Sequence, residues 1–211
     1  MEKKFELTEE TKIVNGATLH RIRALKDFHD VKKGELGGWI EKEKNLSHEG
    51  NCWIYNNACI MNDACVMNDA CMFDNTKMRD YSRMYGNSSM FGYAQMWDNA
   101  QLWDNAEMQG DAIMSGNSKI SGNAQIYGNA HMAGNGTISK STDVICFPNV
   151  GSEHGILTVY KAKKGIEITS HRFQGTDIQF LNAVKEKHGL DSKIGKEYSM
   201  MIELAGFRIL G

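Results

Sequence analysis

One proline in 211 residues leaves little to interrupt extended structure and excludes a collagen-like or proline-rich linker chain. Cysteine is also a weak signal. Five is an odd number and no CxxC occurs, so the spacing encodes neither a disulfide framework nor a zinc knuckle. No apolar run has the length of a membrane span, and the charged stretch Met1–Leu7 is followed by no signal-type hydrophobic region. A soluble, cytoplasmic protein is expected. An excess of positive charge is missing too. Net charge is −2, with ten basic and ten acidic residues over 1–50, five and nine over 51–146, and nine and seven over 147–211. None of these segments offers the basic surface that releases counterions from nucleic acid, so nucleic acid is not an expected partner. HExxH, P-loop and dinucleotide fingerprints are absent as well, and no metal or other cofactor is expected.

What the chain does have is repetition. It reads NNACIM, NDACVM, NDACMF, DNTKMR, DYSRMY, GNSSMF, GYAQMW, DNAQLW, DNAEMQ, GDAIMS, GNSKIS, GNAQIY, GNAHMA and GNGTIS, fourteen hexads without an insertion. A small residue recurs from Ala58 through Ala100 and Ala106 to Gly136, followed two positions later by an unbranched or aliphatic one, from Ile60 to Ile138. Six is not a helical period, and it suits an alternating strand only if a turn interrupts each repeat. Gly-Asn, Asp-Asn and Asn-Asp tolerate left-handed backbone, so each hexad supplies a corner. Three corners close a triangular coil of eighteen residues, with small side chains at the inner corners and aliphatic ones filling the flat sides. The repeats resemble the hexapeptide-repeat family of left-handed parallel β-helices, whose pattern sets a small residue four positions after an aliphatic one. The fold class expected is mainly β. It comprises a left-handed parallel β-helix of about five coils over residues 51–146, an N-terminal cap with a β-hairpin over 1–50, and a C-terminal ββαα module over 147–211.

Eight of the thirteen methionines take the aliphatic slot: Met72, Met78, Met84, Met90, Met96, Met108, Met114 and Met132. An adaptable thioether fills irregular core space, so this reads as packing and not as a metal site. Cys59, Cys65 and Cys71 are six apart, which sends them to different sides of one coil as reduced thiols, while Cys52 takes a small interior slot.

Asn15-Gly16, between Thr11–Val14 and Ala17–Leu25, predicts a tight hairpin. The irregular segment Lys26–Glu49, with Leu36, Trp39 and Ile40 as apolar anchors, predicts the rest of a cap, because a parallel solenoid exposes a sheet edge at each end. RIRALKDF and GELGGWIEKEKNLSHEGNCWIYNNA resemble the leader of a hexapeptide-repeat family common in bacteriophages, prophages and some enterobacteria. Beyond the solenoid, Gly155–Ala162 and Ile166–Phe173 alternate like strands. Thr176 then predicts the N-cap of a helix ending near His188-Gly189, and Tyr198, Met201, Ile202 and Leu204 predict a second helix.

Enzymes of the β-helix family are typically acyl- or nucleotidyl-transferases working between subunits, and in the acyltransferases a histidine base is commonly supported by a loop thrown out of the coil. No such loop interrupts these hexads. His131, the only histidine within them, takes an outward strand position and reads as an exposed surface residue. Ser152, Glu153 and His154 are consecutive, which does not make a triad. His20, His29, His48, His171 and His188 have no partner that spacing identifies. Asp80 and Asp98 stack one coil apart, close enough to share a cation, although corner aspartates more often satisfy their own turn backbone.

The residue after each core aliphatic points outward and forms three vertical stripes. One holds Tyr55, Phe73, Phe91, Gln109, Tyr127 and Ile145; another Met67, Tyr85, Trp103, Ser121 and Ser139; the third Met61, Arg79, Trp97, Ser115 and Ala133. Tyr55, Phe73, Tyr85, Phe91, Trp97, Trp103 and Arg79 are the expected interaction surface, since exposed apolar rows call for a partner. The sequence thus predicts a non-catalytic binding protein that recognises a protein or itself as a homo-oligomer. The leader's resemblance implies phage or prophage origin and action in a bacterial host cell on a component such as a defence system. The alternative is an acyltransferase-like enzyme using acyl-CoA at an inter-subunit groove.

Overall fold

Every hexad corner opens with a residue at positive φ, from Asn62 (59°), Asp98 (57°) and Asp104 (57°) to Gly110 (74°) and Gly128 (67°). Aspartate and asparagine tolerate this backbone and glycine adopts it freely. The computed structural model describes residues 2–151, 153–170 and 173–211; Ser152 and His171 lie outside the described residues. Between corners run two-residue strands, each pairing in parallel with the strand eighteen residues on, as Lys77 with Gln95 and Met78 with Met96.

Three parallel sheets form the faces of the coil. The first face stacks β3 (Leu36–Ile40), Cys59–Ile60, Lys77–Met78, Gln95–Met96, Ile113–Met114 and His131–Met132. The second runs from Trp53–Ile54 to Gln125–Ile126 and the third from Cys65–Val66 to Thr137–Ile138. The expected architecture holds, with one shift. β3 pairs in parallel with Cys59–Ile60, so the stacking reaches back into the segment expected to be cap, making about six turns instead of five. Inside, the methionine slot is dry: Met72, Met78, Met84, Met90, Met96, Met108 and Met114 are fully buried, as are Ala58, Ala94, Ala100 and Ala106. Polar small residues at the same inner corners satisfy themselves locally. Ser82 Oγ donates to Arg79 O (2.8 Å) and Thr76 Oγ1 to Phe73 O (2.8 Å).

The strands are polar along the axis. Amides of each hexad donate to carbonyls one coil further on, as Cys65 to Ser82 (3.1 Å), Met67 to Met84 (3.0 Å) and Asp69 to Gly86 (3.0 Å). The N-terminal end therefore presents mainly unfilled carbonyls, and the C-terminal end mainly unfilled amides.

At the N-terminal end, β1 (Phe5–Val14) and β2 (Ala17–Ala24) form the predicted hairpin around Asn15 and Gly16, and β2 pairs antiparallel with β3. Below the second face lies Lys4, which is 1% exposed. Its Nζ donates to Gly50 O (3.1 Å) and Cys52 O (2.8 Å) and lies 5.1 Å from the Phe28 ring centroid. Below the third face, Asn45 Nδ2 donates to Asn62 O (3.1 Å) and Ala64 O (2.8 Å).

At the C-terminal end lies one antiparallel sheet of four strands: Val144–Val150, Gly155–Lys161, Ile166–Ser170 and Phe173–Thr176. Two strands were predicted; Val144–Val150 and Phe173–Thr176 are the additions. Because Ile145 pairs with Val159 in this sheet, the outer stripe assigned to it stops at Tyr127. Helix α1 (Asp177–His188) begins behind a capping box, in which Thr176 Oγ1 accepts from Gln179 N and Gln179 Oε1 from Thr176 N. Helix α2 (Lys193–Leu210) follows, capped by Ser192. Both pack on the sheet through Phe180, Val184, Ile202, Ala205 and Ile209. Among the described residues no helix is long and apolar enough to cross a membrane.

Candidate functional site

The outward stripes become ladders of rings. Tyr55 stacks on Phe73 (centroids 4.5 Å, planes 5° apart) and Phe73 on Phe91 (4.8 Å, 6°), all on the second face. On the third face Tyr85 stacks on Trp103 (5.7 Å, 6°). On the first, the Arg79 guanidinium lies 4.8 Å over Trp97 and donates from Nη1 to Asp80 Oδ2 (2.8 Å). The parallel register causes this, since side chains eighteen residues apart sit directly above one another. Each ring hides part of a face against its neighbour, and all seven predicted residues are half-buried. They do not meet in one patch; they form three rows on three faces. Tyr81 and Tyr93, each 61% exposed, project between these rows from the corners. The stripe rule missed them because it counts only the position after the core residue.

The caps cover the ends of these rows and no more. The hairpin folds Leu19 over Trp39, Cys59 and Met61, leaving Cys59 and Met61 buried on the first face. On the second face Tyr55 Oη donates to Asp30 Oδ1 (2.6 Å). Burial, and then that bond, push the Tyr55 phenol above its ordinary pKa. Burial raises the pKa of Cys52, Cys59 and Cys65, and moves Cys71 up to about 11, so thiolate is disfavoured at each.

A groove of about 480 Å³ lies where the last coils meet the C-terminal sheet. Asp111 and Asn129, one coil apart at the same corner, form one side. Ile113 and His131 line it from the coil as well, and His154, Thr158 and Thr169 from the C-terminal module. The main chain of His131 is fixed from both sides: its N–H donates to Thr158 Oγ1 (3.1 Å), and its carbonyl accepts from Thr169 Oγ1. Its ring lies 6.4 Å from Trp97, and burial lowers its pKa below the ordinary histidine value. The expected exposed histidine is thus half-buried. The hexad pattern could not reveal this, because the covering strands lie 27 and 38 residues downstream. Among the described residues, no carboxylate bonds the His131 ring.

The remaining candidates have structural employment. His48 bridges Glu43 Oε1 (2.8 Å) and Lys4 N (3.1 Å) and stacks on Phe5, while His29 pairs with Asp30 (2.8 Å). Glu153 pairs with Lys187 (3.4 Å), whereas the adjacent His154 lines the groove. Asp80 Oδ2 accepts from Asp98 N (3.3 Å) and Asp98 Oδ2 from Gly116 N (2.9 Å). These corner carboxylates therefore satisfy the next coil's turn, not their own as expected. No group of three or more metal-ligating side chains occurs among the described residues.

No protein-family model matches this chain. It is 40% identical over 62 residues to a protein of Escherichia coli (strain K12) described as "Uncharacterized acetyltransferase YdcK". That match covers 26% of this chain and 19% of the other, so the likeness spans about a fifth of that protein's length.

Proposed function

We propose that this protein acts by binding another protein through the ring rows of its middle coils, with the β-helix as a rigid spacer that keeps those rows in register. The observation that carries this reading is the short reach of both caps. The hairpin stops at Met61 and the C-terminal sheet begins its cover at His131, and Tyr85, Phe91, Trp97 and Trp103 between them keep partly exposed edges. Aromatic side chains and arginine dominate interface energetics, and the stacked rows are held in place before any partner arrives. The partner is a second copy of this chain or a different protein; the leader's resemblance to phage sequences favours a host component such as a defence protein. The test is the double substitution Trp97→Ser and Trp103→Ser. The expected result is a chain that stays folded but has lost its native mass by light scattering, or its captured partner. Unfolding of the variant, or retention of both mass and partner, sinks the proposal.

A second reading has its own observation, the half-buried His131 held toward its neutral form in a polar groove. A neutral imidazole can take the proton of an acceptor hydroxyl or amine as it attacks a thioester carbonyl, releasing the carrier thiol. The relative's description as an acetyltransferase fits that chemistry. Thioester cleavage of acetyl-CoA that vanishes in His131→Asn supports acyl transfer, and equal rates with and without the protein exclude it for this donor.

A further inference from the structure

Helix α2 is apolar on two opposite sides. Ile202, Ala205 and Ile209 face the sheet and are buried. Away from the sheet, Met200 (64% exposed), Leu204 (48%) and Phe207 (77%) follow at spacings of four and three and form one row along the helix. Leu210 (57%) widens the end of that row. A helix that is apolar on both sides belongs in an environment that covers both. We infer that the row is a self-association site, on which α2 of a second copy of this chain packs in parallel and in register.

The charges beside the row select this occupant and this orientation. Glu203 flanks it on one side and Arg208 on the other, both exposed. Five positions separate them, about 140° around the helix, so they cannot meet on their own chain. Neither has an opposite charge three or four positions away, and among the described residues neither makes an ion pair. In a parallel two-fold pair the unlike flanks of the two helices come together. Glu203 of each copy then lies beside Arg208 of the other, and the two-fold axis makes the match twice. An antiparallel pair sets like flanks against each other and leaves Arg208 of each copy away from Glu203 of the other.

The contact is short. Lys193 and Glu197 continue the row toward the start of the helix, which confines the apolar seam to about three turns, from Met200 to Leu210. A seam of this size buries on the order of 1,000 Å² in total, at the low end for a specific interface. A dissociation constant of about 10–100 μM is therefore expected. The helix is already held by its sheet and by the Ser192 cap, so association orders side chains and not a helix.

The experiment is sedimentation of the full chain at low salt, over about 5–200 μM protein. The expected result is a monomer–dimer equilibrium. Phe207→Ser alters only an exposed side chain, and should weaken the dimer about tenfold or more while the chain stays folded by circular dichroism. Glu203→Arg and Arg208→Glu each bring like charges together and should each weaken it about fivefold, whereas the two combined restore the parent value. A chain that is still monomeric at about 200 μM overturns the inference. So does a dimer undiminished by Phe207→Ser, or a combined reversal no tighter than the single ones. Self-association that is lost in the Trp97→Ser, Trp103→Ser chain and kept in Phe207→Ser belongs to the ring rows. That outcome overturns the α2 contact and leaves the function proposed above standing.

Discussion

At its N-terminal end the β-helix offers carbonyls, and donors answer them: Lys4 Nζ under the second face and Asn45 Nδ2 under the third. At its C-terminal end it offers amides, and oxygens answer. Thr158 Oγ1 accepts from His131 N (3.1 Å), Tyr160 Oη from Ala133 N (3.2 Å), Glu167 Oε2 from Asn135 N (3.0 Å) and Asp143 Oδ2 from Ser139 N (2.9 Å). A parallel sheet stacked one way has different ends, so one kind of cap cannot serve both. The difference teaches what each end can tolerate. The N-terminal end divides its capping between one buried lysine and one buried asparagine, whereas the C-terminal end spreads it over at least five side chains, Ser141 Oγ accepting from Gln125 N (2.9 Å) as well.

That contrast can be broken from either side. Lys4→Met keeps the apolar stem but leaves the carbonyls of Gly50 and Cys52 without their donor. The buried Cys52 acceptor costs roughly 1–3 kcal/mol when orphaned and the more exposed Gly50 carbonyl less, so a loss of about 2–4 kcal/mol in urea denaturation is expected. Ala100→Leu tests the middle, where neither cap contributes. It adds volume to a fully buried corner and should cost about 1–3 kcal/mol by overpacking; unchanged stability would mean that the corner is not where the register puts it. Tyr160→Phe removes one of the oxygens at the C-terminal end, a hydroxyl that also donates to Ala133 O (2.8 Å). An expected loss of about 1–2 kcal/mol, smaller than for Lys4→Met, checks whether the load there is shared.

The smallest effect concerns pH. Burial holds the folded-state pKa of His131 below its ordinary value of 6.5. Below that value the unfolded chain takes up the proton more readily than the folded one. The stability tied to His131 is therefore fully present above about pH 6.5 and is lost as pH falls from there toward the folded pKa. His131→Asn should flatten the stability profile in that window while leaving it unchanged at higher pH. A slope identical to that of the parent chain would show that His131 does not set it.

Much of the fold was legible because a hexad repeats its instructions. A corner residue that tolerates positive φ, a small inner side chain and an aliphatic filler recur fourteen times, and each makes sense without knowledge of any distant residue. Asn15-Gly16 and Thr176 were legible on the same terms, since a tight turn and an N-cap are settled within a few positions. The ring rows also followed from the period. The groove did not. His131 carries no mark in its own hexad of the strands that cover it. Nor does Lys4 stand out among the charged side chains of the leader.

By itself, the sequence determined the coil, its period, its core and the placement of side chains into stacked rows, because those depend on backbone preference and on neighbours at fixed spacing. Only the tertiary structure decided how the coil ends. A capping group must meet a particular carbonyl or amide in space, and the residues that do so lie up to 48 positions away at the N-terminal end, as Lys4 does from Cys52. No local pattern encodes such a distance. The burial of His131 is a consequence of that docking.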